Sequence, residues 1–283
     1  MHTVQLKHIA DIKNLKKAVR FVKQDKEDEN IHCPLHDLPY LWKVDKKLSD
    51  LKSRLLDGTY QPQKCTILEV AKSSFTTRPT SHISIEDWIV AQAILNKVAL
   101  ILDKKIPENS FAFRLNPKRD KSSKHKFFKA WYRDWPKFIK NIRAQIGNDL
   151  PCLLITDIGG YFENIDLDRL NQMIIDARVS QQIADLLVIQ LESWTWRHLY
   201  VVHRHRGLLQ GNDISSFYAN FYLWDVDKYY ENRAIICHRF MDDFNIHTKD
   251  RNEAKKILTG LNQLFRNKGL TINTAKTLIH SGL

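Results

Sequence analysis

The stretch ICHRFMDDFNIHT, Ile236 to Thr248, sets two carboxylates side by side, Asp242 and Asp243, between apolar runs that read as strands. A carboxylate taken out of water is costly unless it is paired or binds a metal. The pair therefore has two readings. It can be turn chemistry, since Asp is favoured in tight turns, or it can hold a divalent cation at the tip of a hairpin. The dipeptide alone leaves both open.

Composition narrows the setting. The chain has 283 residues, enough for one large domain or two small ones, and a hydrophobic fraction of 43% typical of folded proteins. Its 44 Lys and Arg against 32 Asp and Glu give a net charge of +12, which favours a polyanionic partner through counterion release. Cys33, Cys65, Cys152 and Cys237 are scattered without a C-x-x-C spacing, so neither a structural zinc site nor a disulfide framework is expected. The N-terminus has amphipathic helical spacing rather than a secretory core, and no run approaches the ~18 apolar residues of a membrane span. A soluble, cytoplasmic protein with no membrane partner is expected.

Along the chain, residues 1 to about 57 read as charged helices closed by a Gly58 stop, and Cys65 to Val70 as a short strand. Ser84 with Asp87 resembles a capping box opening a long apolar helix. Nine Lys and Arg then fall between Lys118 and Lys140, with aromatics at 127, 128, 131, 135 and 138 at helical spacing. That spacing predicts an amphipathic helix with an aromatic core face; its basic face also suits the wall of a nucleic-acid channel. The apolar run Cys152 to Thr156 reads as a buried strand ending on Asp157. Helices are predicted over 167–178, 180–196, about 215–230 and from Asn252 to Gly269, with a final strand in LTINTAKTLIHSG.

Asp157 alone is as compatible with a helix N-cap as with an active site. Together, a strand-end Asp and a hairpin-tip pair can meet on adjacent strands of one sheet. There they would clamp two Mg²⁺ ions about 3.5–4 Å apart, the arrangement that stabilises in-line phosphoryl transfer. Mg²⁺, with Mn²⁺ as the alternative, suits such hard oxygen donors.

These segments resemble the motifs of reverse transcriptases. TDIGGYFENI (156–165) is similar to their first catalytic motif, and RGLLQGNDISSFYANFYLWDVD (206–227) to the second, G-x-P-Q-G-x-x-x-S-P-x-x-A-N-x-x-L. FMDDF resembles the third and GLTINTAKT the fourth; VAKSSFTTRPTSHISIEDWIVAQAI and SFAFR are similar to fingers segments. The matches run in family order from Thr59 to Gly282, about four-fifths of the chain. They most resemble prokaryotic members: group II intron, retron-like and abortive-infection or phage-defence enzymes.

The resemblance implies an α+β right-hand polymerase fold. A helical extension would occupy 1–58, fingers 59–150, and a palm with an antiparallel sheet 151–283, with a helical fingers-side insertion near 167–200. The thumb is expected to be truncated or absent, supplied by a partner protein or by missing C-terminal sequence. Asp157, Asp242 and Asp243 are implied as metal ligands, with the Ile158 carbonyl as a further contact. Lys276 matches the lysine that protonates the pyrophosphate leaving group. Lys72 and Arg78 match cations gripping the triphosphate. Phe162 falls at the steric gate beneath the sugar, and Gln210 with Gly211 in the loop packing on the nucleotide.

Expected partners are an RNA template, a nucleic-acid primer and deoxynucleoside triphosphates. Leu209 and Ser216 stand where the second motif usually has Pro, Glu163 stands for the second acid of the first, and Phe240 for Tyr. The second-motif departures, Leu209 and Ser216, tilt the resemblance toward the divergent defence group. The expected activity is RNA-directed DNA synthesis. Untemplated or protein-primed synthesis on the same fold, or a non-catalytic RNA-binding scaffold, are the alternatives.

Overall fold

A computed structural model describes residues 4–26, 39–71, 77–122, 124–146, 150–195 and 205–281, with backbone alone at 67–70 and 77–81. Helices open it, among them α1 (Leu6–Ile9), α2 (Ile12–Lys26) and α3 (Val44–Asp57), which stops at Gly58 in the left-handed conformation (φ 78°). Strands β1 (Thr66–Ala71) and β2 (Thr77–His82) pair antiparallel as a separate ribbon.

Helix α4 (Ile85–Asp103) is the buried axis of the molecule, apolar on nearly every side. Its predicted cap is present, the Ser84 hydroxyl accepting from the Asp87 amide at 3.1 Å. Asp87 is fully buried and accepts from the Tyr60 hydroxyl at 2.5 Å, the Gln63 amide at 2.9 Å and the Ser84 hydroxyl at 2.7 Å. Those three donors are what make a buried carboxyl tolerable there. Asn14 of α2 fastens the N-terminal helices to this axis by donating to the Ala93 carbonyl at 3.0 Å.

Beyond α4 lie α5 (Trp131–Gln145), β3 (Cys152–Thr156), α6 (Tyr161–Asn164), α7 (Leu167–Asp176) and α8 (Gln181–Trp194). They are followed by α9 (Asp213–Tyr222), α10 (Trp224–Glu231), β4 (Cys237–Phe240), β5 (Asp243–Thr248), α11 (Arg251–Asn267) and β6 (Leu278–Ser281). The four later strands form one antiparallel sheet in the order β4-β5-β3-β6. Alternation divides its faces. Leu154, Phe244 and Ile246 enter the main core, where Phe244 meets Phe265 of α11 edge-on at 5.3 Å. Leu153, Ile155 and Phe240 face the other way, against Phe138 and Ile142 of α5.

Three expectations need correction. The aromatic stripe does not form one helix with a buried face. Leu115 bridges Phe128, and the Asn116 and Lys129 amides donate to the Phe127 and Arg114 carbonyls. The chain is therefore still extended at 127–129, and α5 begins only at Trp131. Phe127, Phe128 and Phe138 are buried, whereas Trp131 is 68% exposed and Trp135 39%. The helix expected over 215–230 is also broken, at Leu223. Lys268 is almost wholly buried, and its ammonium takes the Tyr222 carbonyl at 2.9 Å and pairs with Asp225 at 2.9 Å. A carbonyl so engaged marks the break between α9 and α10. The final segment is not one strand either: Ile272 makes a single bridge to Ile158, a 3₁₀ turn covers Thr274–Lys276, and only Leu278–Ser281 is strand.

Candidate active site

Strand β3 pairs with β5 so that Thr156 lies opposite Phe244. Carrying that antiparallel register on by one residue sets Asp157 across from Asp243, with Asp242 at the tip of the β4–β5 hairpin. The tip is tight: Met241 adopts a left-handed conformation (φ 57°), uncommon for a residue with a side chain.

Four charged groups gather here. Asp157 is buried, and the Lys276 ammonium meets its Oδ2 at 2.5 Å while the lysine side chain stays 64% exposed. Burial, together with the negative charges of Asp157 and Asp243, pushes the Asp242 carboxyl up to about 6. Burial and the Asp157 charge also raise Asp243. The hydrogen bond to Asp157 holds Lys276 above an ordinary lysine. Three carboxyl groups thus share one neighbourhood with a single ammonium, leaving a negative excess that a cation would relieve. Among the described residues no group of three or more His, Cys, Asp or Glu side chains is placed to hold a metal ion. The all-carboxylate donor set fits a hard divalent cation.

The backbone around Asp157 is pinned from the fourth-motif side. The Asn273 amide donates to the Asp157 carbonyl and the Gly159 amide to the Thr271 carbonyl, both at 2.8 Å. Ile158 therefore occupies the non-hydrogen-bonded position of its bridge to Ile272, and the ladder leaves its own carbonyl unused. Gly160 (φ 57°) then turns the chain into α6, where a Cβ would sit 3.0 Å from Asn164 Nδ2. Tyr161 points into the core and donates to the Ala219 carbonyl at 2.5 Å. Phe162 is half-buried, its ring 5.8 Å from that of Tyr161.

The loop carrying Gln210 and Gly211 is fastened to this turn. The Leu208 amide donates to the Phe162 carbonyl and the Gly207 amide to the Ile165 carbonyl, both at 2.8 Å. Gln210 and Gly211 are exposed, and Gly211 has φ 107°, a conformation that favours glycine. The structure thus brings together Asp157, Ile158, Phe162, Asp242, Asp243 and Lys276, with Gln210 and Gly211 on the adjoining loop. Lys72 lies outside the described residues, and Arg78 is described only as β2 backbone.

Sequence reasoning missed the residues that hold the hairpin in place. Arg239 of β4 is 1% exposed and donates through Nη1 to the Met241 carbonyl at 2.7 Å, directly behind Asp242. The same guanidinium donates to Asn220 Oδ1 at 2.7 Å and the Asn220 carbonyl at 3.1 Å, and pairs bidentately with buried Asp227, its Nε bond measuring 2.7 Å. Asn220 also accepts from the Ser110 hydroxyl at 3.1 Å and donates to the Ala112 carbonyl at 2.7 Å. One buried cation thus ties the SFAFR segment, α9, α10 and the carboxylate hairpin together. A signal was present: an Arg between strand residues that point into a core.

Comparison with known proteins agrees with this architecture. The family model described as reverse transcriptase (RNA-dependent DNA polymerase) matches residues 70–281. The group II intron-encoded protein LtrA of Lactococcus lactis subsp. cremoris is 27% identical over 191 residues, which is 65% of this chain and 28% of that protein. The chain thus spans little more than a quarter of the length of the curated relatives it matches. Among solved structures, apo telomerase from Candida tropicalis matches with a TM-score of 0.54 at 12% identity, covering 84% of this chain and 49% of that one. Telomerase from Candida albicans, in complex with a fragment of telomeric RNA, matches with a TM-score of 0.53 at 12% identity, covering 86% and 47%. These likenesses establish a palm-and-fingers polymerase fold, α+β with an antiparallel sheet. On the strength of the family match over three-quarters of its length, the chain belongs to the reverse transcriptase family.

Proposed function

We propose that the protein is an RNA-directed DNA polymerase that adds deoxynucleotides to a primer 3′-OH. The observation that carries this reading is the meeting of Asp157, Asp242 and Asp243 at one sheet end, where burial and then the neighbouring charges raise the Asp242 carboxyl and Asp157 engages Lys276. Residues 59–150 act as fingers and 151–283 as palm, behind a helical extension over 1–58. Asp157 and Asp242, with Asp243 and the Ile158 carbonyl beside them, would hold two Mg²⁺ ions, or Mn²⁺ in their place. When bound, the ions supply charge neutralisation at the attacking and leaving oxygens.

The chain's own groups do the rest. Lys276 is exposed enough to swing from Asp157 toward a leaving pyrophosphate and deliver a proton. The Phe162 ring lies beneath the sugar and excludes a ribose 2′-OH. Gln210 and Gly211 pack on the incoming nucleotide, and Lys72 and Arg78 grip its triphosphate. RNA template and primer are drawn by the net positive charge. No helix among the described residues is long and apolar enough to cross a membrane, in keeping with work on nucleic acid in the cytoplasm. A setting in antiphage defence is supported by the departures at Leu209 and Ser216 alone.

Primer extension on an RNA template with Mg²⁺ tests the proposal. Asp242→Asn abolishes incorporation while the fold and RNA binding persist; continued synthesis by that variant refutes the metal role. Homopolymer or random product from the wild type would replace templated synthesis with the untemplated reading.

A further inference from the structure

The surface of α5 carries aromatic side chains that the core does not use. Its apolar stripe starts buried at Ile142 and Phe138, where Phe138 meets Phe111 at 5.7 Å and Phe240 at 5.6 Å between ring centroids. One turn earlier, Trp135 covers Phe240 edge-on at 5.0 Å and remains 39% exposed. A further turn earlier, Trp131 is 68% exposed and Tyr132 60%, their rings 6.2 Å apart. Phe240 pairs with Asp243 across the hairpin, so this stripe is continuous with the strand end that carries the carboxylates. Lys129 directly precedes it and Arg143 lies on the same side of the helix as Tyr132, while Arg133 and Lys140 turn to the opposite side of α5; all four are exposed and without an acidic partner among the described residues.

Flat exposed rings bordered by a basic helix face suit one kind of ligand. Bases stack on the rings while phosphates meet the cations. A duplex cannot use such a surface, because its bases are already stacked and paired. On an RNA-directed polymerase the strand that stays unpaired ahead of synthesis is the template. We infer that the Trp131–Tyr132–Trp135 face of α5 is a stacking platform for the unpaired RNA template. The assignment of the strand as template rests on the polymerase reading; the stacking surface itself does not.

The test measures anisotropy of a fluorescein-labelled 20-nucleotide oligouridylate with the full chain. The comparison arms are an RNA–DNA hybrid of equal length and an oligothymidylate. Trp131→Ala/Tyr132→Ala is predicted to weaken single-stranded RNA binding by about 10- to 100-fold, the scale of one or two lost stacks. Hybrid affinity and the slope of log K against log salt stay unchanged, because no phosphate contact is removed. Trp131→Phe/Tyr132→Phe keeps affinity within about threefold of wild type, since a smaller ring still stacks. Lys129→Ala instead flattens the salt slope.

Unchanged oligouridylate affinity in the double alanine variant overturns the inference, as does an equal loss on the hybrid. Loss confined to oligothymidylate reassigns the platform to DNA and overturns the template assignment. A wild-type dimer that dissociates on the alanine substitutions with RNA affinity intact gives the patch to a second copy and also overturns it. Primer extension by the same wild-type sample separates the two claims. Stacking-dependent binding without synthesis supports the platform against the polymerase reading, and synthesis with binding indifferent to both rings does the reverse.

Discussion

Replacing Arg239 should disable the hairpin from behind, and the structure sets the scale. Arg239 and Asp227 are both buried, and the guanidinium satisfies the Asp227 carboxylate together with the Asn220 and Met241 carbonyls. Arg239→Met leaves a buried carboxylate without its partner, a loss of about 3–5 kcal/mol. Against a typical total of roughly 5–15 kcal/mol, that is a large share of folding stability. Asp227→Leu strands the guanidinium and should cost a similar amount. The double variant buries neither charge, so it should recover at least about 2 kcal/mol relative to the sum of the singles.

Recovery of stability should not bring recovery of activity. The Met241 carbonyl still lacks its donor, and a reacting group displaced by about 1 Å can lose on the order of 100-fold in rate. Urea denaturation gives the stabilities and single-turnover primer extension the rates. Additive losses in the double variant would refute the pairing argument. A refolded double variant with wild-type rate would refute the positioning role of Arg239.

Other outcomes follow from the same structure. Lys276→Met should slow incorporation by about 10²–10⁴-fold if the ammonium protonates the leaving group, and should cost less stability than Arg239→Met because the lysine, unlike buried Asp157, is mostly exposed. An unchanged single-turnover rate would remove Lys276 from the chemistry. Phe162→Ala should admit ribonucleotides in a mixed-nucleotide extension assay, and unaltered sugar discrimination would cancel its gate role. Acid sensitivity should trace in part to His238, which burial and then the neighbouring His247 depress to about 4. The folded chain keeps it neutral while the unfolded chain takes up a proton below its usual value near 6.5. Its share of stability is therefore present above pH 6.5 and lost as the pH falls toward 4. That share is at most about 3 kcal/mol. His238→Phe should gain on wild type by that amount between pH 7 and 4 in urea titrations; a pH-independent difference would refute it.

Local chemistry carried most of the fold into view. The buried run ending at Asp157, the hairpin of the Asp pair and the capped helix from Ile85 each have a pattern that leaves one solution. The candidate site was legible because its carboxylates sit at strand ends, where an ionised side chain in an apolar run needs a partner. What was not legible depends on contacts distant in sequence. Lys268 breaks the helix at Leu223 from 45 residues away, and pairing of 114–116 with 127–129 delays α5 to Trp131. Helical spacing put Trp131 and Trp135 in a core, but periodicity names a shared face and not what covers it. The Arg239–Asp227–Asn220 cluster joins three segments, so no window of sequence contains it.

The most direct test of the account is anomalous diffraction at the manganese edge from crystals grown with Mn²⁺, an RNA template, a 3′-deoxy-terminated primer and a deoxynucleoside triphosphate. The account predicts two peaks bounded by the carboxylates of Asp157 and Asp242, with Lys276 displaced from Asp157. Peaks elsewhere, or a bound nucleotide with Lys276 still paired to Asp157 and no ion between the two acids, would contradict it.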